Sequence, residues 1–401
     1  MFQAYHGVTA AEHQAKFNLL SGQGYRMISL SVYADPGDAR YAAVWVQRSG
    51  PAWAAVHGLD GAGYQSAFNN WTAKGYVPVL VSATGSGSKA IFAAVFEQGI
   101  SGPWVARHGM NSGSENSAGT FQNLNKTAIA QKLILRSFAI YGSAGDPRYI
   151  AVWHSNPGYV KWHVNPSDTT ASYQITFNAQ TQLPGYQLAG YRPAFVALSG
   201  DHTYCSLFKD DVVGAWAARH GLSAADYQAE FDKQNAAGFY PICVQGGGSG
   251  ANTRYAAIFA KQDIPLGRAW SITGAAVPTL AGLDHIMQSF MQANGVRAAQ
   301  LAVGKNGVTR FSPRVHLGRG RLSRHADLGP LPPRQLQQDV PRGRGPVALR
   351  RQDAHSRYQG IPAPRLLQSA RSAQRQDHHP GVAGPQGRLQ RRSGLEGRLG
   401  L

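Results

Sequence analysis

Five histidines have the residue type and spacing that first suggest chemistry in this chain of 401 residues. Each stands four residues after an aromatic side chain, and successive copies are 51 to 57 residues apart. The pairs are Phe2 and His6, Trp53 and His57, Trp104 and His108, Tyr159 and His163, and Trp216 and His220. Imidazole is the commonest metal ligand, but rings from different repeat units lie roughly 10 Å apart, whereas a Zn–N bond measures about 2 Å. We therefore expect no metal and no other cofactor, and assign these rings to hydrogen bonds between repeats.

A glutamine recurs after each histidine, always directly behind an aromatic residue or a histidine. The five are Gln14, Gln65, Gln122, Gln174 and Gln228. A side-chain amide both donates and accepts hydrogen bonds, so we expect these glutamines to satisfy polar groups between neighbouring units. The aromatic, histidine and glutamine positions together form a repeat signature that is either structural or part of a binding face. Recurrent tryptophans are assigned to the core, because stacked units need large apolar side chains; they are Trp45, Trp53, Trp104, Trp153, Trp162 and Trp216.

No catalytic nucleophile is assigned in this chain. Serine acyl transfer needs a serine at the start of a helix with a base within hydrogen-bond reach, and Ser-x-x-Lys is one motif that provides both. We expect no Ser-x-x-Lys anywhere in the chain, and interpret Ser88-Lys89 and Lys209-Asp210 as loop pairs without that spacing. We therefore predict no catalytic residue and no acyl-transfer activity, because the members of a catalytic unit fail together.

Positive charge is concentrated in the last 89 residues. The net charge is +18, of which residues 1–312 carry +6 and residues 313–401 carry +12, from 17 arginines and 5 acidic residues. This tail has one tyrosine and no Trp, Phe, Met, Cys or Asn, so it has little to bury and we predict that it is disordered. Nucleic-acid binding through the tail is an alternative that we do not favour, because no aromatic residues interleave with the arginines to stack on bases.

A shifted reading frame offers a second explanation of the tail. We back-translated this segment with ordinary GC-rich codons and translated the result in a frame shifted by one base. In that frame, the codons for Gln335 to Asp339 allow a Ser-x-x-Lys at the start of a helix. That motif is the nucleophile motif of serine β-lactamases and penicillin-binding proteins. We interpret residues 313–401 as out of frame and the catalytic domain as truncated.

The repeat itself combines a short strand, a helix and a hairpin. Thr9-Ala-Ala-Glu12 and Ser223-Ala-Ala-Asp226 are typical of helix N-caps with a carboxylate in the first turn, and Gly24 and Gly238 supply left-handed stops. One unit cannot bury both faces alone, so we predict a curved or half-barrel-like α/β array of five units of about fifty residues. The predicted units are 1–51, 52–103, 104–158, 159–214 and 215–267.

The combination of Trp-x-x-x-His-Gly, aromatic-Gln-x-x-Phe and Arg-Tyr-x-Ala-Val-Trp resembles the bacterial tandem repeat domain that precedes serine β-lactamase-like hydrolase domains, as in the polyglycine hydrolases. The resemblance covers residues 1–267. It implies a secreted parent that cuts glycine-rich peptide linkers, with the repeats recognising the polypeptide substrate. For this chain it implies a non-catalytic recognition module, or an active serine hydrolase if the reading frame is restored. Two repeats depart from the pattern: the third has an insertion at 111–119, and the fourth lacks the glycine after His163.

Residues 268–312 are predicted to begin a further domain. A helix is expected at Leu283–Ala293, followed by a hairpin that turns at Asn306-Gly307, and this order is similar to the start of the β-lactamase-like fold. Earlier in the chain, Cys205 and Cys243 fit either a disulfide or two buried free thiols.

The remaining expectations concern membranes, targeting and assembly. No stretch approaches the 18 apolar residues of a membrane span, so no membrane partner is expected. Residues 1–25 contain no recognisable signal peptide, and Phe2 already occupies a repeat position, from which we expect upstream sequence to be missing. The ligand of the repeats, the oligomeric state and the choice between an arc and a closed ring stay open.

Overall fold

Five successive segments of the chain each form a three-stranded antiparallel sheet with one helix. The computed structural model describes residues 1–181, 191–274, 277–294, 296–305, 308–311 and 314–319. We call the five segments units 1 to 5. In unit 1, the first strand leads into a helix, and a hairpin follows whose last strand becomes the centre of the sheet. These elements are β1 (Phe2–Val8), α1 (Ala10–Gly22), β2 (Tyr25–Tyr33) and β3 (Arg40–Gln47).

The other four units repeat this order of strand, helix, strand and strand, again with the last strand central. Unit 2 contains β4 (Trp53–Leu59), α2 (Gly61–Ala73), β5 (Val77–Thr84) and β6 (Ile91–Glu97). Unit 3 contains β7 (Trp104–Asn111), α3 (Phe121–Ala130), β8 (Leu133–Ser143) and β9 (Asp146–Ser155). Unit 4 contains β10 (Trp162–Asp168), α4 (Thr170–Thr181), β11 (Arg192–Leu198) and β12 (Tyr204–Lys209). Unit 5 contains β13 (Trp216–Leu222), α5 (Ala224–Ala236), β14 (Tyr240–Gly247) and β15 (Arg254–Ala260).

The helices begin and end as the local sequence predicts. Thr9 caps α1 in a capping box with Glu12, and Ser223 caps α5 in the same way with Asp226. In each box the hydroxyl accepts a free backbone N–H of the first turn while the carboxylate bonds the backbone N–H of the cap. The predicted N-caps are therefore confirmed.

Unit 3 ends its helix at a lysine where units 1, 2 and 5 have a glycine. Lys132 has φ +60°, and its N–H donates to the Ile129 carbonyl at 2.9 Å, as the Gly24 N–H donates to the Ser21 carbonyl at 3.1 Å. A side chain in this left-handed region costs about 1 kcal/mol that glycine avoids.

We expect Lys132→Gly to raise the free energy of unfolding by about 1 kcal/mol in urea titrations. Lys74→Gly is the matched control, because Lys74 caps α2 at φ −89°, where glycine relieves no strain. It adds freedom to the unfolded chain and removes the contact of Lys74 Nζ with the Trp71 ring, 5.0 Å from its centroid. Equal losses of stability in the two variants would contradict the strain at Lys132.

Each sheet is buried on both faces against different partners. In unit 1, Tyr41 lies under α1 and stacks on His13, with ring centroids 4.6 Å apart. Val44, on the opposite face of the same strand, packs in one core cluster with Val244 and Phe259 of unit 5. The central strands read as nearly continuous apolar runs because neither face meets water.

Neighbouring units are joined through the second strands, which are the edges of their sheets. The backbone N–H of Val32 in β2 donates to Ser82 Oγ in β5 at 2.9 Å, and that of Val81 donates to Ser137 Oγ in β8 at 3.0 Å. An edge strand leaves N–H groups unpaired, and the serine hydroxyls of the next unit satisfy them.

The same strands close the array on itself. Phe138 of unit 3 packs on Phe195 of unit 4 at 4.9 Å between ring centroids, and Cys243 Sγ of unit 5 lies 3.9 Å from the Val196 carbonyl of unit 4. Unit 5 then returns to unit 1, where the Gly246 N–H donates to Ser31 Oγ at 3.1 Å. The choice between an arc and a ring, which the sequence left open, is thus decided: the five sheets form a closed ring, because the last unit meets the free edge of the first unit.

Two further sheets follow the ring. The segment that forms these sheets contains one helix, α6 (Ala281–Asn294). Its strands are β16 (Arg268–Thr273), β17 (Ala298–Gln300), β18 (Val303–Lys305), β19 (Val308–Phe311) and β20 (Arg314–Arg319). Strand β20 lies between β16 and β17, so residues Arg314–Arg319, which we assigned to the tail, form a strand. Residues 320–401 of that tail, and the proposed frameshift under Gln335 to Asp339, lie outside the described residues. In the described ranges, no helix is long and apolar enough to cross a membrane.

Candidate functional site

The histidines and glutamines of the signature meet across the unit junctions. His57 Nε2 lies 2.8 Å from Gln14 Oε1 of unit 1, and His108 Nε2 lies 2.9 Å from Gln65 Oε1 of unit 2. His220 Nε2 lies 3.0 Å from Gln174 Oε1 of unit 4. The expected hydrogen bond between repeats is therefore present at these junctions.

The ring closes through the same pair of residue types. His6 of unit 1 is hydrogen-bonded to Gln228 of unit 5. The amides of the four paired glutamines also donate to a residue one helical turn later, as Gln14 Nε2 does to Asn18 Oδ1 at 2.8 Å. Because the Gln14 amide nitrogen donates to Asn18, the group that faces His57 is the amide oxygen, which can only accept a hydrogen bond. We therefore assign the proton of the His57 imidazole to Nε2.

Burial keeps these imidazoles neutral. It lowers the pKa of His6, His57, His108 and His220. The rings also lie edge-on to buried aromatic rings, as His220 does to Tyr173 at 4.8 Å. A neutral imidazole that donates one hydrogen bond to an amide is suited to joining units. Within the described residues, no group of three or more His, Cys, Asp or Glu side chains could hold a metal ion.

The fourth histidine is not at the equivalent position, which corrects the assignment of Tyr159 and His163. In β10, Trp162 pairs with Lys209, just as Trp53 in β4 pairs with Glu97. Trp162 is thus the signature aromatic residue of unit 4, and His163 directly follows it. Tyr159 lies before the strand and contacts Trp270, with ring centroids 6.3 Å apart.

The histidine position of unit 4 is occupied by Pro166, and the glycine position by Ser167. A sequence signal could have shown this, because in units 1, 2 and 5 the signature histidine precedes its helix N-cap by three residues, as His6 precedes Thr9. Thr169 Oγ1 accepts the Ser172 N–H at 3.2 Å at the start of α4. Counting back three residues from Thr169 reaches Pro166.

Gln122 consequently has no histidine partner across the junction of units 3 and 4. It is exposed at the start of α3, and no hydrogen bond of its side chain is found in the described part of the chain. The inserted segment 111–119 replaces the first turn of this helix, so α3 begins at Phe121. Phe121 still stacks on Tyr149 at 4.9 Å, which aligns unit 3 with the other units.

A pocket of about 250 Å³ lies at this junction. Its floor is the Phe121 and Tyr149 pair, and its walls include Ser112, Ser114, Gln122 and Ser167. A second pocket of about 60 Å³ is lined by Ser167 together with Ser143, Ser199, Asp201 and Thr203. Hydroxyl and amide groups above an aromatic floor suit a neutral, polar ligand.

The cysteines and tryptophans have structural surroundings. Cys205 and Cys243 are buried free thiols. Trp45 and Trp153 are fully buried. Trp53, Trp104 and Trp216 are half-buried and meet aromatic rings of the preceding helix, as Trp53 meets Phe17 at 5.3 Å.

One string with the nucleophile spacing was overlooked by the expectation of no Ser-x-x-Lys. It is Ser86-Gly87-Ser88-Lys89, which lies in the turn between β5 and β6. Both Ser86 and Lys89 are exposed, and the turn contains a single 3-10 segment, Gly87–Lys89, instead of the start of an α-helix. The string therefore lacks the helix start and the enclosed base that acyl transfer needs.

A closed ring of strand, helix and hairpin units, joined by histidine and glutamine pairs, is a tandem structural-repeat protein. A family model described as polyglycine hydrolase-like, structural repeat, matches residues 2–48, 50–99, 101–156 and 213–262. The chain belongs to this family. The four matched ranges correspond to units 1, 2, 3 and 5, and the segment between them is unit 4, where proline and serine replace the signature histidine and glycine.

Proposed function

We propose that this chain is a non-catalytic recognition module of the polyglycine hydrolase-like family, and that it binds an uncharged, extended polypeptide at the junction of units 3 and 4. The observation that carries the proposal is the pocket of about 250 Å³ beside a glutamine with no histidine partner. At the other junctions the equivalent space holds a histidine.

Unit 4 is, in this proposal, a fifth copy of the repeat that has diverged. Its strand order matches that of the other units, Tyr173 stacks on Tyr204 at 4.6 Å, and Gln174 bonds His220 of unit 5. On the side that faces unit 3, Pro166 and Ser167 replace the signature histidine and glycine. Asp168 there is a buried carboxylate that accepts hydrogen bonds from Asn165 Nδ2 at 2.6 Å and Ser172 Oγ at 2.8 Å.

The chemistry of the pocket favours a polypeptide backbone with small side chains. Gln122 offers both a donor and an acceptor, and Ser112, Ser114 and Ser167 add hydroxyls that can do either. The lining of this pocket contains no ionisable side chain except the Tyr149 phenol, so it does not select for charge. A glycine-rich segment presents backbone amides without side chains that would collide with a pocket of this size.

A matched pair of glutamine variants tests the site. We expect a glycine-serine peptide of about ten residues to bind the full chain saturably in calorimetry, and Gln122→Ala to weaken it about tenfold, because a paired amide contributes roughly 1–1.5 kcal/mol. Gln65→Ala removes the equivalent side chain where His108 already occupies the junction, and should leave peptide binding unchanged.

Restoring the repeat signature should close the site. Pro166→His together with Ser167→Gly would supply Gln122 with the partner found at other junctions and fill the pocket. The glycine is needed because Gly58, at this place in unit 2, has φ +68°. Full peptide affinity in this double variant, or equal losses in the two glutamine variants, would refute the proposed site.

Two alternatives from the sequence are tested separately. An active serine hydrolase, arising if the reading frame is restored, predicts labelling of the frame-restored product by a fluorophosphonate probe and none of this chain. Nucleic-acid binding through residues 313–401 predicts salt-sensitive DNA retention that disappears when the tail is deleted. Secretion of the parent is likewise a proposal, tested by the location of the frame-restored product.

A further inference from the structure

Charged side chains collect inside one end of the ring, where the second strands begin. Phe96 and Phe208 pack under α2 and α4, against Phe68 at 6.3 Å and Phe177 at 6.2 Å. Because successive strand residues point to opposite faces, the next residues, Glu97 and Lys209, face the ring interior.

Arg136 joins this group from unit 3. It is the bulged residue of β8, between Leu135 and Ser137 in the register with β9. The corresponding bulges in units 2 and 4 hold Val79 and Ala194. One arginine thus stands where the other units have small or apolar side chains.

Most charges at this end are paired. Arg26 binds Glu97 at 2.8 Å, Arg48 binds Asp263 at 2.5 Å, and Arg192 binds Asp211 at 2.6 Å. Those pairs use all three carboxylates. In the described ranges of the chain, Arg136 and Lys209 have neither an ion-pair nor a hydrogen-bond partner.

The strand pairing places the two unpaired cations near each other. Lys209 pairs with Arg192 at the start of β11, and three residues further along β11 Phe195 packs on Phe138, which follows Arg136 by two residues in β8. Burial lowers the pKa of Lys209 to about 7, and the charges of Arg136 and Arg192 lower it further against the opposing effect of Asp211. Surrounding protein also lowers the pKa of Arg136, although its side chain is exposed. Lys209 is half-buried, so water and small solutes reach both groups.

We propose that the interior end of the ring binds a small oxyanion, a carboxylate or a phosphate, between Arg136 and Lys209. A planar guanidinium and an ammonium together offer charge-assisted donors that match either anion. An anion would also offset the excess positive charge at this end of the ring, where five cations, Arg26, Arg48, Arg136, Arg192 and Lys209, face three carboxylates, Glu97, Asp211 and Asp263. The site shares no residue with the pocket at the junction of units 3 and 4, so it stands or falls independently of the proposed peptide binding.

The test is calorimetry on the full chain in low-salt buffer, with sodium phosphate in one arm and sodium acetate in the other. We expect saturable binding in at least one arm, and the arm that binds more tightly identifies the source of the oxyanion. Arg136→Val introduces the residue type that unit 2 has at the equivalent bulge, Val79. This variant should bind the anion about tenfold more weakly or worse. Arg107→Val is the matched control, because Arg107 lies on an outer strand and bonds only its neighbour's carbonyl, that of Ala106; it should bind normally.

Lys209→Ala is a second variant for the case that Arg136→Val does not fold. Alanine is the residue at the equivalent position of unit 5, because Ala260 pairs with Trp216 as Lys209 pairs with Trp162. Acetate, whose charge is the same at both values, should also bind the natural chain more tightly at pH 6 than at pH 8.5, because Lys209, with a pKa of about 7, is mostly protonated only at the lower pH. The charged and titratable groups around the site are Arg26, Arg48, Glu97, Arg136, His154, Arg192, Lys209, Asp211 and Asp263. No saturable binding of either anion, or unchanged affinity in both variants, would overturn the proposal.

Discussion

Gly246→Ala should lower the free energy of unfolding by roughly 2–4 kcal/mol, because it crowds the contact that closes the ring. A Cβ at this position would lie 2.6 Å from Tyr33 Cδ1 and 2.7 Å from Tyr33 Cγ. Tyr33 is only 2 % exposed, and its hydroxyl bonds the Tyr255 hydroxyl at 2.7 Å and accepts the Gly7 N–H at 2.9 Å. The Tyr33 side chain therefore cannot move aside without breaking its contacts between units 5 and 1.

Gly22→Ala is the matched control for this prediction. Gly22 lies in α1, and a Cβ there meets nothing within 4 Å, so alanine should raise the free energy of unfolding by up to about 1 kcal/mol. Urea titrations of the three proteins provide the comparison. A loss below about 1 kcal/mol in Gly246→Ala would mean that units 5 and 1 do not close tightly.

Acidification from pH 8 to pH 5 should remove about 4 kcal/mol of stability through two buried histidines. Burial lowers the pKa of His13 from 6.5 to about 3 and that of His154 from 6.5 to about 4. The side chains are buried, at 1 % and 8 % exposure, and His154 Nε2 lies 2.8 Å from the Pro78 carbonyl.

The direction follows from proton binding. Below pH 6.5 the unfolded chain takes up protons on both histidines while the folded chain does not, so stability is complete above that pH and is lost as pH falls toward the folded pKa values. Each histidine contributes about 2 kcal/mol over this interval. The lowered pKa values of His6, His57, His108 and His220 act in the same direction.

His13→Phe provides an internal control for the pH effect. The equivalent residues of units 2 to 5 are aromatic, as shown by the stacking of Tyr64 on Phe92 at 5.2 Å and of Tyr173 on Tyr204 at 4.6 Å. Phenylalanine should therefore fit over Tyr41 and remove about half of the pH dependence. Urea titrations at pH 8 and pH 5 measure both effects, and equal stability of the natural chain at the two values would contradict the assignment.

Local features of the fold could be predicted because they depend on neighbouring residues. The capping boxes at Thr9 and Ser223 each satisfy backbone groups within one turn of helix. The link between His57 and Gln14 could be inferred because both residue types recur together and one imidazole per unit is too sparse for a metal.

Unit 4 shows where spacing misleads. Tyr159 and His163 reproduce the interval of four residues, yet the register of β10 with β12 places Trp162 at the aromatic position. A motif match weighs only the interval, whereas the strand pairing depends on which residues are buried against β12. The pocket beside Gln122 follows from that register, because the register places Pro166 instead of a histidine at this junction.

The sequence by itself determined the composition of the unit and the residues that join one unit to the next, because caps, turns and alternating strands are encoded over a few residues. Closure of the ring was decided only in the tertiary structure. It requires the five rotations between successive units to add up to a full turn, so that Gly246 reaches Ser31. The interior charges were decided there too, because Arg136 and Lys209 are 73 positions apart in the chain and approach each other only when the sheets surround a common interior.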